Sequence, residues 1–217
     1  MKNTIKYLIL LIIYLVCGVN LQAQNYTFRN VVMSDGLSGL LVNAIYKDSE
    51  GFVWLGTDNC LDRFDGVKVR HYEFRGVDSG RKKRVNCITE TADNQLWVGN
   101  GIGLWRLNRA NGQLERIVSE KIDFAVNTLL PDGDILYIGT EKGLFIQKDG
   151  QLLQVLTDRN MLAACNRIMD LCLNEDKSAL WLATVQGLFS YSLKDGKIDS
   201  WHFQENVPEA DYFRCLT

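Results

Sequence analysis

The chain has 217 residues, a formal net charge of −2 and 47% hydrophobic residues, so it can form one domain or part of a larger one. This near-neutral charge creates no overall positive field, and we expect this region to bind no nucleic acid. No two of its six cysteines have CxxC spacing, which argues against a zinc ribbon and favours buried thiols over disulfides.

The first residues are typical of an export signal. A positively charged segment over residues 1–6 precedes an uncharged apolar run over residues 7–19. This run is shorter than the roughly 20 residues that a membrane-spanning helix needs, and residues 21–23 (Leu-Gln-Ala) offer a small-residue cleavage site. We therefore predict a signal peptide over residues 1–23 and a mature, periplasmic chain over residues 24–217. An uncleaved anchor is the alternative.

Four copies of one sequence unit follow the signal. Each copy has a central aromatic residue, a small residue two places later and a leucine seven places after the aromatic. These repeat residues are Trp54, Gly56 and Leu61, then Trp97, Gly99 and Leu104, then Tyr137, Gly139 and Leu144, and finally Trp181, Ala183 and Leu188. The aromatics are 43, 40 and 44 residues apart. Agreement at this many positions indicates a true internal repeat.

Each unit predicts a four-stranded antiparallel sheet, because short β-rich runs alternate with clusters of Asp, Asn and Gly. Four-stranded units of about 40–45 residues are typical of propeller blades. We predict an all-β, incomplete β-propeller with four blades and the first strand of a fifth. The predicted blades cover approximately residues 41–74, 84–118, 125–156 and 168–203, and the fifth opens at residue 213. Residues 26–31 are predicted to complete a closing blade.

The repeat residues have a packing explanation. The aromatic fills the space between neighbouring blades, and the small residue allows the backbones to approach closely. Gly103, Gly143 and Gly187 precede the leucines and are expected to take a positive φ. Cys60 occupies this position in the first copy, which predicts either strain or a different turn.

The repeat resembles that of the two-component regulator propeller family. The match is carried by residues 42–45 (VNAI), 54–57 (WLGT) and 61–64 (LDRF), and residues 34–38 resemble the D-G-L-S segment that commonly precedes the family's first blade. The resemblance extends over about residues 26–217.

This resemblance implies the periplasmic sensor region of a hybrid histidine kinase that regulates polysaccharide utilisation. In the family, further blades, an immunoglobulin-like domain, a membrane helix and cytoplasmic signalling domains follow such a region. The implied partners are these other parts of the full-length, inner-membrane-anchored protein and an oligosaccharide ligand. Whether two copies pair as a homodimer stays open.

No catalytic motif is visible, and we expect neither enzyme activity, nor a cofactor, nor a metal. The two histidines, His71 and His202, lie on predicted outer strands and are interpreted as surface residues. The glycine-rich residues 100–103 join two predicted strands, which favours a hairpin over a phosphate-binding loop.

Ligand-binding candidates lie in the loops between the second and third strands, where propellers commonly contact their partners. These candidates are Asp58, Asn59, Asn100, Glu141, Lys142 and Gln186. Amides and carboxylates at these positions can form hydrogen bonds with sugar hydroxyls, whereas ordinary polar turns are the alternative interpretation. Two other functional hypotheses are an envelope scaffold that binds proteins or glycans and, less favoured, a propeller enzyme.

Overall fold

The computed structural model describes residues 5–7, 30–77, 83–117, 123–156 and 167–201. The chain divides into two compact units, residues 1–31 and 32–217. In the first unit residues 5–7 are helical. In the described part of the chain, no helix is long and apolar enough to cross a membrane.

Five sequence-based predictions fall wholly or mostly on residues outside these ranges. They are the apolar signal run over residues 7–19, the cleavage site after residue 23, the closing strand over residues 26–31, the surface position of His202 and the fifth blade that opens at residue 213. These features and the domain boundaries built on them stay predictions.

Within the described ranges, the second unit contains sixteen strands in four antiparallel sheets. Sheet 1 contains β1 (Val42–Lys47), β2 (Val53–Thr57), β3 (Leu61–Phe64) and β4 (Val69–Tyr72). Sheet 2 contains β5 (Val85–Glu90), β6 (Leu96–Asn100), β7 (Gly103–Asn108) and β8 (Gln113–Arg116). Sheet 3 contains β9 (Val126–Asp132), β10 (Ile135–Thr140), β11 (Gly143–Lys148) and β12 (Gln151–Gln154). Sheet 4 contains β13 (Ile168–Leu173), β14 (Ala179–Thr184), β15 (Gly187–Ser192) and β16 (Ile198–Trp201).

In each sheet the strands are neighbours in chain order, as expected for consecutive hairpins. The turn between β11 and β12 illustrates the local cause, since Asp149 and Gly150 both have positive φ (49° and 73°). This is the signature of the two-residue hairpin turn that an Asp-Gly pair favours. The predicted all-β fold with four four-stranded blades is confirmed, and the sheets are called blades 1 to 4 below.

Neighbouring blades share apolar cores built around the repeat aromatics. Trp54 of blade 1 is 1% exposed and packs in one cluster with Leu96, Val98 and Trp105 of blade 2. Equivalent clusters join blade 2 to blade 3 and blade 3 to blade 4. The first strands β1, β5, β9 and β13 contact one another in this order. They therefore form the inner edge of the array.

The glycine before each repeat leucine behaves as expected in three blades. Gly103, Gly143 and Gly187 have φ values of 141°, 110° and 143°. Cys60 is not among the residues with positive φ. Its turn is held by Thr57, whose Oγ1 accepts hydrogen bonds from the backbone N–H groups of Asn59 and Cys60. The presence of cysteine instead of glycine at this position therefore accompanies a different turn conformation in blade 1.

Candidate functional site

The inner strands of the four blades begin around a cleft of about 360 Å³, which we call the central cleft. Residues near the start of each first strand contribute to its wall, together with the residues that precede these strands and the tips of two hairpins. The lining residues are Asn43, Arg84, Asn86, Gly101, Ala125, Asn127, Glu141, Arg167 and Met169. All four blades therefore contribute to one site.

Backbone hydrogen bonds tie the hairpin tips to the residues in front of each first strand. The backbone N–H of Gly101 donates to the carbonyl of Arg84 at 3.2 Å, and that of Glu141 donates to the carbonyl of Ala125 at 3.2 Å. Val185 donates to the carbonyl of Arg167 at 3.4 Å. This repeated contact brings the side chains of Arg84, Arg167 and Glu141 to the same cleft.

Asparagines at the strand starts link one blade to the next. Nδ2 of Asn86 donates to the carbonyl of Val126 at 2.9 Å, and Nδ2 of Asn127 donates to the carbonyl of Ile168 at 2.8 Å. Nδ2 of Asn43, at the equivalent position of blade 1, is buried and has no hydrogen-bond partner among the described residues. A buried donor in this state costs about 1–3 kcal/mol, so an acceptor at this point of the cleft would be stabilising.

The sequence-based ligand candidates fall into two groups. Glu141 lines the central cleft, whereas Asp58, Asn59, Lys142 and Gln186 are exposed on the hairpins but are not among its lining residues. Lys142 lies over the Phe124 ring, with Nζ 4.8 Å from the ring centroid. Asn59 donates from Nδ2 to the carbonyl of Ser38 and lines a different cleft in blade 1.

Asn100 has a structural position. Its side chain is fully buried, and its Oδ1 accepts hydrogen bonds from Ile102 N at 3.0 Å and Trp105 Nε1 at 3.2 Å. It therefore occupies the place of Thr57, which organises the equivalent turn in blade 1. Its Nδ2, like that of Asn43, is buried without a hydrogen-bond partner among the described residues, but Asn100 is not one of the residues that line the central cleft.

Sequence reasoning missed Arg84 and Arg167. Arg84 is the last residue of the basic run over residues 81–84, which is most simply interpreted as a solvated loop. The sequence signal for both arginines was their position in the repeat, because Arg84 and Arg167 each directly precede the first strand of a repeat unit. Both residues are exposed and line the central cleft.

Comparison with known proteins identifies the repeat. Residues 36–59 match the family model described as two component regulator propeller. Residues 36–59 are therefore similar to a two-component regulator propeller repeat. The resemblance inferred from the sequence is thereby confirmed.

Relatives of this propeller occur in signalling proteins. It is 32% identical over 79 residues to histidine kinase P4 of Formosa agariphila, a match that covers 36% of this chain and 6% of that protein. The extracellular domain of one hybrid two component system from B. thetaiotaomicron is 27% identical with a TM-score of 0.63, and the match covers 77% of this chain and 23% of that domain. A second such domain gives 20% identity and a TM-score of 0.68, over 81% and 26% of the two chains. This propeller therefore spans a small part of the relatives that it matches.

The fold also occurs in an enzyme. Virginiamycin B lyase from Staphylococcus aureus is 16% identical to this propeller with a TM-score of 0.61, and the match covers 76% of this chain and 56% of the lyase. At this level of identity the likeness concerns the architecture alone.

Proposed function

We propose that this propeller is part of the ligand-sensing periplasmic region of a hybrid histidine kinase-type two-component sensor that regulates polysaccharide utilisation. The similarity to extracellular domains of hybrid two component systems and to a histidine kinase supports this assignment. The signal would be transmitted as a rigid-body movement between the propeller and domains closer to the membrane. Phosphotransfer would occur in other domains of the full-length protein.

The composition of the central cleft carries the proposal. It combines two guanidinium groups, from Arg84 and Arg167, with the Glu141 carboxylate and the unpartnered amide donor of Asn43. Guanidinium groups bind carboxylates and sulfates through paired, charge-assisted hydrogen bonds, while amides and carboxylates suit sugar hydroxyls. The volume of about 360 Å³ is in the range of small-molecule sites. An oligosaccharide that carries uronate or sulfate groups fits this chemistry.

We propose a non-catalytic role for the propeller itself. The described residues that line the central cleft include one carboxylate, Glu141, and no histidine, cysteine or serine. Such a lining lacks the paired nucleophile and base, or paired acid and base, on which hydrolases and lyases depend.

Calorimetric titration of the full chain with uronate-containing, sulfated and neutral oligosaccharides of equal length tests this function. We expect a charged oligosaccharide to bind, and Arg84→Ala and Arg167→Ala each to weaken binding by about 10- to 100-fold, since one charge-assisted contact contributes about 1.5–3 kcal/mol. Arg75→Ala is the matched control, because Arg75 is exposed and lies outside the central cleft. Binding that is insensitive to Arg84 and Arg167, or turnover of the sugar, would contradict the proposal.

A further inference from the structure

Blade 1 carries a polar cluster of three side chains, two of which stand where the other blades have aromatic residues or glycine. Asp62 in β3 pairs across the sheet with His71 in β4, and Cys60 precedes β3 directly. At the position of Asp62 the other blades have buried aromatic residues, which are Trp105, Phe145 and Phe189. At the position of Cys60 they have glycines, which are Gly103, Gly143 and Gly187. Both departures from the repeat introduce side chains that bind metals.

The three side chains converge on the buried carboxylate of Asp62. Its Oδ1 lies 2.7 Å from Nδ1 of His71 and 3.3 Å from Sγ of Cys60. The three possible ligand atoms all lie within 4.8 Å of one another. The other oxygen, Oδ2, accepts a hydrogen bond from the backbone N–H of Ser38 at 2.8 Å. Such a second contact fixes the orientation of a carboxylate ligand.

We propose that Cys60, Asp62 and His71 form a zinc-binding site. A thiolate, an imidazole and a carboxylate are ligand types that Zn²⁺ takes in proteins, and the soft sulfur favours zinc over magnesium or calcium. On binding, the thiol of Cys60 gives its proton to solvent and its sulfur forms a bond to the ion.

The geometry requires only small movements. With bond lengths of about 2.3 Å to sulfur and about 2.0–2.1 Å to nitrogen and oxygen, tetrahedral ligands lie about 3.3–3.6 Å apart. The side chain of His71 is 47% exposed, whereas that of Asp62 is fully buried. A rotation of the half-exposed imidazole therefore opens the short His71–Asp62 contact and admits the ion while Asp62 stays in place.

A neighbouring cleft supplies the fourth coordination position. Cys60 and His71 line a cleft of about 560 Å³, and Asn59 and Glu73 also contribute to its wall. Water or the Glu73 carboxylate can complete the tetrahedron from this side. Three protein ligands with one position open to a cleft are typical of zinc sites that remain accessible to small molecules.

From the sequence alone no metal site is expected here, because the ligands are two and nine residues apart and match no familiar zinc motif. They come together because β3 and β4 are antiparallel neighbours that pair Asp62 with His71, and because Cys60 lies two residues before Asp62 and so on the same face of the extended chain. The bound ion would join the hairpin before β3 to the outer strand of blade 1.

Zinc titration of the full chain tests the site, after removal of metals with a chelator and in competition with a chromogenic zinc indicator. We expect one Zn²⁺ per chain. We expect Cys60→Ser and His71→Gln each to weaken zinc binding by at least about 100-fold, because loss of a ligand should cost at least as much as the largest loss caused by changing a residue that only supports a ligand. Replacement of Zn²⁺ by Co²⁺ should give a thiolate-to-cobalt absorption band that Cys60→Ser abolishes.

Matched controls are Cys172→Ser and His202→Gln, which remove another cysteine and the second histidine of the chain. Both should bind zinc like the wild type, and circular dichroism should show the same β content in all four variants. The proposal is overturned if the wild-type chain does not bind zinc in a 1:1 ratio. It is also overturned if the two ligand variants bind as tightly as the controls, in which case the cluster is a hydrogen-bonded network without a metal.

Discussion

The repeat tryptophans of blades 1 and 2 carry an N–H group into the inter-blade core, and the two blades satisfy it with different acceptors. Nε1 of Trp54 donates to Oδ2 of Asp48 at 2.7 Å, and Nε1 of Trp97 donates to Oγ1 of Thr91 at 3.1 Å. Each acceptor lies six residues before its tryptophan. Asp48 also accepts from the backbone N–H of Phe52, so one buried carboxylate organises both the turn and the core.

Replacement of Asp48 should reveal this role. We expect Asp48→Ala to lower the free energy of unfolding by about 1–3 kcal/mol, because the buried indole N–H of Trp54 loses its acceptor. Asp48→Thr reproduces the arrangement of Thr91 and should cost less. Urea denaturation of the full chain measures both values. Equal losses in the two variants would show that the hydrogen bond to Trp54 is unimportant.

Cys87 of blade 2 packs against the core between blades 2 and 3. Its Sγ lies close to Gly99, since a Cβ atom on that glycine would be 2.5 Å from the sulfur. Burial raises the pKa of its thiol well above the ordinary value. The unfolded thiol has a pKa of about 8.5. At pH values between this and the higher pKa of the folded thiol, the unfolded chain binds fewer protons than the folded chain. The stability that Cys87 contributes is therefore complete below about pH 8.5 and falls as the pH rises above it.

Two measurements check the state of Cys87. Iodoacetamide at pH 8 should leave this thiol unmodified in the folded chain and modify it in urea, as followed by peptide mass spectrometry. The decline in unfolding free energy between pH 8 and pH 10 should be smaller in Cys87→Ala than in the wild type. Rapid modification of the folded chain, or an unchanged pH dependence, would contradict the assignment.

At the scale of the blade, the small residue two places after the aromatic sets how closely neighbouring blades approach each other. A Cβ atom on Gly99 would lie 2.5 Å from Sγ of Cys87 and 2.6 Å from Cγ1 of Val126 in the next blade. The glycines of blades 1 and 3 meet comparable contacts with Val85 and Ile168. Ala183 has this place in blade 4, where the described residues include no further first strand.

We expect Gly99→Ala to destabilise the chain by about 1–3 kcal/mol through overpacking between blades 2 and 3. Ala183→Gly is the reverse control and should cost about 0.5–1 kcal/mol, the usual effect of glycine in a strand. Thermal or urea unfolding compares the two variants. If Gly99→Ala is the milder change, close blade packing is not the reason for glycine at this position.

The blade was predictable from sequence because its determinants are local. The spacing from Trp54 to Trp97 gives the period, and Asp-Gly turns give the hairpins. Asn100 was selected as a ligand candidate for its polarity, although its alignment with Thr140 indicates a buried residue of the hairpin turn. The position of Arg84 and Arg167 directly before a first strand was visible in the repeat, but that both side chains line one cleft depends on how separate blades meet, which no local pattern encodes.

At the scale of the whole molecule, the two ends of the blade array differ from its interior. In blade 1 Ile45 is 71% exposed, whereas the equivalent Ile88 of blade 2 is 8% exposed. In blade 4 Trp181 is only half-buried, and it packs edge-to-face on Trp201, which is 54% exposed. Exposed apolar faces of this kind favour contact with further protein. We therefore expect additional blades of the full-length protein to cover both faces.

The reading frame that encodes this chain tests the sensor assignment most directly. We predict that sequencing beyond the codon for Thr217 will reveal further Trp-x-Gly-Thr units in frame, followed by a membrane helix and a histidine kinase domain. A frame that stops directly after Thr217, or that continues into an unrelated domain without a membrane helix, would contradict a role in two-component sensing.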